Sequence, residues 1–358
     1  MKNLQEFFKN KKILITGHTG FKGSWLSRIL LDWRSDITGI ALKPDTALNL
    51  FDILGIKKDI NNYFCDIRDF KKIRKILGKE RPEIIFHLAA QPLVRASYDD
   101  PLYTFETNIL GTANILQAAK EVPGVKAIVL ITTDKVYENK EDGISYKEDD
   151  KLGGYDPYSS SKVGAEVIID SYVKSFFNPK NYGKQHETLI ASARSGNVIG
   201  GGDWQKDRIL PDIIRSVFEK KKKLIIRNPN SIRPWQYVLE DLEGYLLLAK
   251  KLYGGKKEFS EAWNFGPDSS ENCLTVEELA KKSFKILNRG FYEVKKDPAK
   301  HEAEVVRLNI DKAKIRLGWE PKFDIDKTLE ATFAWYNNFY AGKNCVDFTD
   351  KQIKLFFK

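Results

Sequence analysis

Short apolar runs alternate with amphipathic stretches through the first half of this 358-residue chain. Ile13-Leu14-Ile15-Thr16 is an apolar run of strand length that stops at a glycine, as expected of a strand buried on both faces. Trp25, Leu26, Ile29, Leu30 and Trp33 then recur at the spacing of a helix with one buried stripe. Further strands are expected near Ile37 to Leu42, at Tyr63-Phe64-Cys65, over Ile84 to Leu88, from Ala127 to Thr133, and from Thr188 to Ala193. Between the fourth and fifth strands, Phe105, Ile109, Thr112, Leu116 and Ala119 put an apolar side on one helix. This alternation predicts an α/β fold built on a doubly wound parallel sheet.

The rhythm changes twice. The stretch from Glu138 to Pro157 is polar, carries Gly143, Gly153 and Gly154, and reads as a surface loop before another helix. After Gly200-Gly201-Gly202 the elements shorten, which predicts a smaller mixed α/β C-terminal domain. The expected division assigns residues 1–195 to the first domain. Residues 235–267 return to it through Tyr237-Val238, a helix from Leu239 to Leu252 and a strand over Ala262 to Phe265. Residues 196–234 and 268–345 form the second domain, and 346–358 are an amphipathic, basic tail.

Composition narrows the partners. The net charge is +10, but acidic residues are interspersed almost everywhere. The longest basic run, Lys220-Lys221-Lys222-Lys223, reads as a solvated helix end. A small anionic substrate is therefore expected, and no nucleic acid. No stretch approaches the ~18–20 apolar residues of a membrane span, and MKNLQEFFKNKK lacks the apolar core of a signal peptide. Cys65, Cys273 and Cys345 are odd in number and far apart, so neither a disulfide framework nor a paired metal motif is expected. The four histidines show no ligand spacing, and no metal is expected. A reducing, cytoplasmic compartment follows.

Three clusters carry candidate chemistry. Gly17, Gly20 and Gly23 sit where the first strand turns into its helix, a place for a pyrophosphate on a helix N-terminus. Tyr158 and Lys162 are four apart and share a helical face. A cation beside a phenol lowers its pKa from ~10 and makes a base usable near neutral pH. Thr132, Thr133, Asp134 and Lys135 fall at the carboxyl end of the fifth strand, the edge at which open α/β sheets bind ligands. The end of the second strand is ambiguous. Lys43 would attract a 2′-phosphate and favour NADP, whereas Asp45 would serve NAD.

Glycine turn, strand-end hydroxyls with an acid, then Tyr-Lys: this order resembles the extended short-chain dehydrogenase/reductase family, with its Rossmann-type sheet. Within it, Gly17-His18-Thr19-Gly20-Phe21-Lys22-Gly23-Ser24-Trp25, Asp134-Lys135-Val136-Tyr137, Tyr155-Asp156-Pro157-Tyr158 and the block from Gly196 to Trp204 resemble the CDP-glucose 4,6-dehydratases. The resemblance runs from about Leu4 to about Tyr336. It implies NAD as cofactor, held by Gly17, Thr19, Gly20, Phe21, Gly23, Asp66, Ile67, Ala89, Ala90, Asn108 and Thr132 together with Tyr158 and Lys162. Asp66 would accept from the adenine amino group, although by itself it also reads as a helix N-cap. Thr133, Asp134, Lys135, Tyr158 and Lys162 would be catalytic, with Asp134 the acid at C6 and Lys135 in the place of the glutamate base of related dehydratases. Gln91, Asn197, Arg208, Arg233 and His301 would contact the nucleotide sugar. The helices bearing Asn108 and Tyr158 resemble those of the family's dimer-building four-helix bundle, which implies a homodimer or homotetramer.

Overall fold

The protein was described from a computed structural model that covers residues 2–140, 143–219, 223–268, 273–295 and 307–358. Seven strands form one sheet: β1 (Lys12–Thr16), β2 (Asp36–Ala41), β3 (Asn61–Phe64), β4 (Ile84–His87), β5 (Ala127–Ile131), β6 (Leu189–Ser195) and β7 (Ala262–Phe265). Their spatial order is 7-6-5-4-1-2-3, and every neighbouring pair is parallel. The sequence of the strands explains the two-sided burial. Ile13, Ile15, Ile84, Phe86, Ala127 and Val129 point into one apolar cluster. The alternate residues Leu14, Ile85, Ile128 and Leu130 point into a second. A period of two with both phases apolar is what a sheet covered by helices on both faces requires. The doubly wound expectation holds.

The chain reverses its direction of winding between β1 and β4, and there the ends of both strands open a crevice. The helix after β4 is continuous from Pro101 to Glu121 but contains a π-turn at Glu106–Leu110. β5 stops at Ile131, short of the expected Thr133, because Thr133 caps a 3-10 turn over Asp134–Val136. The segment before the Tyr158 helix is not loop throughout. Ser145–Tyr146 pairs with Arg307–Leu308, and buried Tyr146 stacks on Tyr137 at 5.1 Å.

The C-terminal part builds a three-stranded sheet from Cys273–Thr275, Ile232–Tyr237 and Asn197–Ile199, with Ile232–Tyr237 in the middle. The helix Val238–Tyr253 is buried along most of its length. Residues from Cys345 to Phe356 form a further helix, anchored by an ion pair between Arg28 and Asp350 and by Trp335 Nε1 donating to Thr349 Oγ1 at 2.9 Å. Among the described residues, no helix is long and apolar enough to cross a membrane. Lys220, Lys221, Lys222 and His301 lie outside the described residues.

Candidate active site

A cleft of about 740 Å³ runs along the carboxyl ends of the strands between the sheet and the C-terminal elements. Its floor begins at the glycine turn. Gly17 has φ +76°, and a Cβ there would sit 2.8 Å from the Ala89 nitrogen. A Cβ on Gly23 would lie 2.1 Å from the Gly17 oxygen. Any larger residue at either position forces β1, the turn after β4 and the helix Phe21–Asp32 apart. That helix starts at Gly20 with no side-chain cap, so its first N–H groups face the cleft as an anion site. Thr19 Oγ1 donates to the Leu42 oxygen at 3.0 Å and fixes the turn against the end of β2. Phe21 also lines the cleft. This cradle has the shape and donor set for a pyrophosphate.

Asp66, Ile67, Ala89, Ala90 and Gln91 line the adjoining wall. Asp69, not Asp66, caps the next helix, accepting from the Lys72 nitrogen at 3.1 Å. The Asp66 carboxylate accepts from the Arg68 nitrogen at 2.8 Å and from its guanidinium. Burial pushes Asp66 up, but the hydrogen bonds from Arg68 outweigh it and hold the carboxyl below its ordinary range. Lys43 lies on the rim, over the Phe64 ring. Gln91 closes its own turn: its amide accepts from the Leu93 nitrogen at 2.6 Å and donates to Thr104 Oγ1 at 2.9 Å. Asn108 is 1% exposed and stands behind the wall, not in the cleft. Its Oδ1 accepts from the Gln91 nitrogen at 2.8 Å, and its Nδ2 donates to the Gln91 oxygen and to Ser161 Oγ. Asn108 therefore ties the turn after β4 to the helix of Tyr158.

The helix Pro157–Ser175 opens with Pro157 after Asp156, whose carboxylate caps it by accepting from the Ser159 nitrogen and hydroxyl. Tyr158 and Lys162 follow on one face, 9% and 6% exposed, and both line the cleft. The expectation of a phenol already acidified by its neighbour is not met. Burial pushes Tyr158 up to about 12, against the downward pull of its hydrogen bond with Thr133 and of the charges on Arg208 and Lys22. Lys162 instead donates to the Ile131 oxygen at 3.1 Å, and burial lowers it to about 8.

Thr132, Thr133, Asp134 and Lys135 all reach the cleft. Thr132 Oγ1 donates to Glu166 Oε1 at 2.5 Å, and Glu166 forms a buried pair with Arg194 at 2.9 Å. Glu166 continues the Tyr158–Lys162 face by one more turn, a four-residue spacing that was present in the sequence. Asp134 is 4% exposed and accepts from Thr133 Oγ1 at 3.0 Å. Burial pushes its carboxyl above the ordinary range, although Lys135, Arg233 and Lys22 pull it down. Such a carboxyl is disposed to carry a proton. It is not the cap of its turn, a role taken by Thr133. Gly196 makes room for it, since a Cβ there would lie 2.9 Å from Asp134 Oδ2.

Asn197, Arg208 and Arg233 line the opposite wall. Arg208 pairs with Asp203 at 3.0 Å, and Arg233 is 7% exposed. One cluster was not anticipated. Lys22 turns inward from the glycine-rich helix, donating to Asp241 at 2.7 Å, Ser195 at 2.9 Å and Tyr245 at 3.1 Å. A lysine within a mostly buried helical turn was its only local signal.

A family model described as GDP-mannose 4,6 dehydratase matches residues 14–332. A CDP-glucose 4,6-dehydratase of Salmonella typhimurium is 44% identical over 350 residues, spanning 98% of this chain and 97% of its own. A dTDP-D-glucose 4,6-dehydratase of Dictyostelium discoideum is 26% identical and spans 94% of this chain and 84% of its own. Among solved structures, a dTDP-glucose 4,6-dehydratase from Streptomyces venezuelae superposes with a TM-score of 0.77 at 24% identity, covering 93% of this chain and 99% of that one. A UDP-glucose 4-epimerase from Thermotoga maritima gives 0.75 at 22%, covering 91% and 99%. At such identities the structural likeness speaks for the fold. The family model and the Salmonella relative each span most of the chain, which therefore belongs to the 4,6-dehydratase group of the extended short-chain dehydrogenase/reductase family.

Proposed function

We propose that the protein converts CDP-glucose to CDP-4-keto-6-deoxyglucose. The observation that carries this reading is Asp134, a buried carboxyl with a raised pKa in the same cleft as Tyr158 and Lys162. A 4-epimerase has no need of an acid at that place, while elimination of a hydroxyl as water does. The nucleobase is proposed from the 44% identical CDP-glucose 4,6-dehydratase.

NAD is the proposed cofactor, in preference to NADP, because related enzymes have been solved with NAD bound and the glycine cradle fits a dinucleotide pyrophosphate. When bound, the nicotinamide supplies hydride acceptance from C4 and hydride return to C6. The protein's own groups do the proton work. Tyr158 takes the C4 hydroxyl proton once it has given up its own; the Thr133 hydrogen bond and the charges of Arg208 and Lys22 favour that phenolate against the burial that opposes it. Asp134 gives its proton to the departing C6 hydroxyl. Lys135, half-buried and lining the cleft, is the proposed base at C5. Arg208 and Arg233 suit a pyrophosphate, since each presents a planar fork of donors.

In this reading residues 1–195 and 235–267 serve the dinucleotide, and 196–234 and 268–345 the nucleotide sugar. The working assembly is a homodimer or homotetramer in the cytoplasm. Exposed Leu102, Leu110 and Val167 on the two bundle-forming helices support the association. The alternatives are a dehydratase for another nucleotide sugar, a 4-epimerase or, more remotely, a dinucleotide sensor without turnover. Incubation with CDP-, UDP-, dTDP- and GDP-glucose decides among them. A 4-keto-6-deoxy product formed fastest from the CDP sugar is expected. Product from another nucleotide alone changes the base assignment, a C4 epimer in place of the keto sugar makes the protein an epimerase, and unaltered substrate in every case removes the enzymatic reading.

A further inference from the structure

The three-stranded sheet separates two cavities. Along Ile232–Tyr237, side chains alternate between faces: Arg233 and Trp235 line the main cleft, whereas Pro234 and Gln236 line a second chamber of about 180 Å³ behind it. Gln236 is 2% exposed, yet neither Oε1 nor Nε2 has a hydrogen-bond partner among the described residues. Nε of Arg307, in the same lining, is also buried with no partner among the described residues, while its guanidinium hydrogen-bonds the Cys273 thiol. Buried polar groups without partners in a polar space with room for several molecules are where ordered water resides. Ser145 and Asp268 are exposed at the rim and connect the chamber to solvent.

Gly196 lines both cavities. An added Cβ there would lie 2.9 Å from Asp134 Oδ2 and 3.2 Å from Pro234 Cγ, so the acid packs directly against the residue that the two cavities share. The proton balance of the proposed reaction requires that Asp134 regain a proton. Tyr158 takes the C4 hydroxyl proton, and Asp134 gives one to the C6 hydroxyl, which leaves as water. The C5 proton is removed and later restored. Each turnover thus ends with Tyr158 holding one proton too many and Asp134 one too few. Asp134 is 4% exposed, and in the proposed reaction the sugar lies over it on the cleft side.

We propose that the chamber behind Gly196 holds a chain of ordered water, anchored by Gln236, that returns a proton from solvent to Asp134 after each elimination. Gln236 is a positioning residue in this relay. The inference rests on the dehydratase reading above. Only O–H bonds are made and broken along the chain, and no other reactant is needed.

The test is pre-steady-state product formation by Gln236→Leu. The resting variant still carries the Asp134 proton, so it should complete the first turnover at the wild-type rate. Steady-state turnover should then fall about tenfold or more, which appears as a burst of one product per site. An unchanged steady-state rate overturns the relay. So does equal slowing of the first and later turnovers, the mark of a merely structural role. If the variant does not fold, diffraction from wild-type crystals decides: water bridging the Gln236 amide toward Gly196 supports the relay, and a dry chamber overturns it. Wild-type protein inert toward all four nucleotide-glucoses removes the dehydratase reading and the relay together. An active wild type with an unaffected variant removes the relay alone.

Discussion

Asp134 shows how one residue's surroundings select its chemistry. A surface aspartate would be ionised and useless as an acid at neutral pH. Burial raises this one, and Thr133 orients it. Asp134→Asn keeps the shape and removes the acidic proton. We expect C4 oxidation to proceed and the reduced nicotinamide to accumulate on addition of substrate, visible by its absorbance. Elimination at the wild-type rate would contradict the role. Lys135→Met separates two roles for the neighbouring lysine. If Lys135 is the C5 base, solvent deuterium should enter C5 far more slowly while C4 oxidation continues. If it only binds charge, exchange at saturating substrate stays unchanged. Lys162 makes a stability prediction. Its pKa is lowered from 10.5 to about 8 by burial. Below pH 8 it is protonated in both folded and unfolded chains, and the full cost of burying the charge is present. Between about 8 and 10.5 the unfolded chain holds more protons, so stability rises with pH. Lys162→Met should therefore be more stable than wild type by on the order of 1–3 kcal/mol at pH 7. The gain should shrink toward pH 10 in urea unfolding, and turnover should be lost. Equal stabilities at both pH values would refute the burial argument.

At the scale of elements, legibility followed burial on both faces. β1, β4 and β5 are apolar in both phases of their alternation, so a plain apolar run marked them. The end of β5 was misjudged because Thr132 and Thr133 suit a strand locally, while the Thr133 cap ends it. The final helix was missed for a different reason. Its buried stripe is Cys345, Thr349, Ile353 and Phe356, and the threonine that breaks the apolar pattern is there to accept from Trp335. The family resemblance marks Asn108, but contacts outside its own helix set its place behind the cleft wall. Asn108→Ala leaves the buried Gln91 nitrogen without its acceptor and frees the turn from Ser161. A loss of about 1–3 kcal/mol in denaturant unfolding is expected, with dinucleotide affinity reduced less than turnover. An unchanged midpoint would mean that water replaces the amide without penalty.

At the scale of the molecule, the parallel, doubly wound plan was readable because alternation of strand and helix leaves few other arrangements. The pairings that complete the site were not. Lys22 meets Asp241 from 219 residues away, and Gly196 meets Asp134 through the packing of a separate small sheet. No local spacing encodes such contacts. They arise where the C-terminal elements close over the crevice between β1 and β4, and that closure brings Lys22, Asp134 and Gly196 into one cleft. The decisive measurement follows the hydrogen at C4. CDP-glucose carrying deuterium at C4 is given to the protein, and the product is read by NMR and mass spectrometry. The account predicts a 4-keto-6-deoxy sugar with the deuterium at C6. A C4 epimer that keeps deuterium at C4, or unaltered substrate, would contradict it.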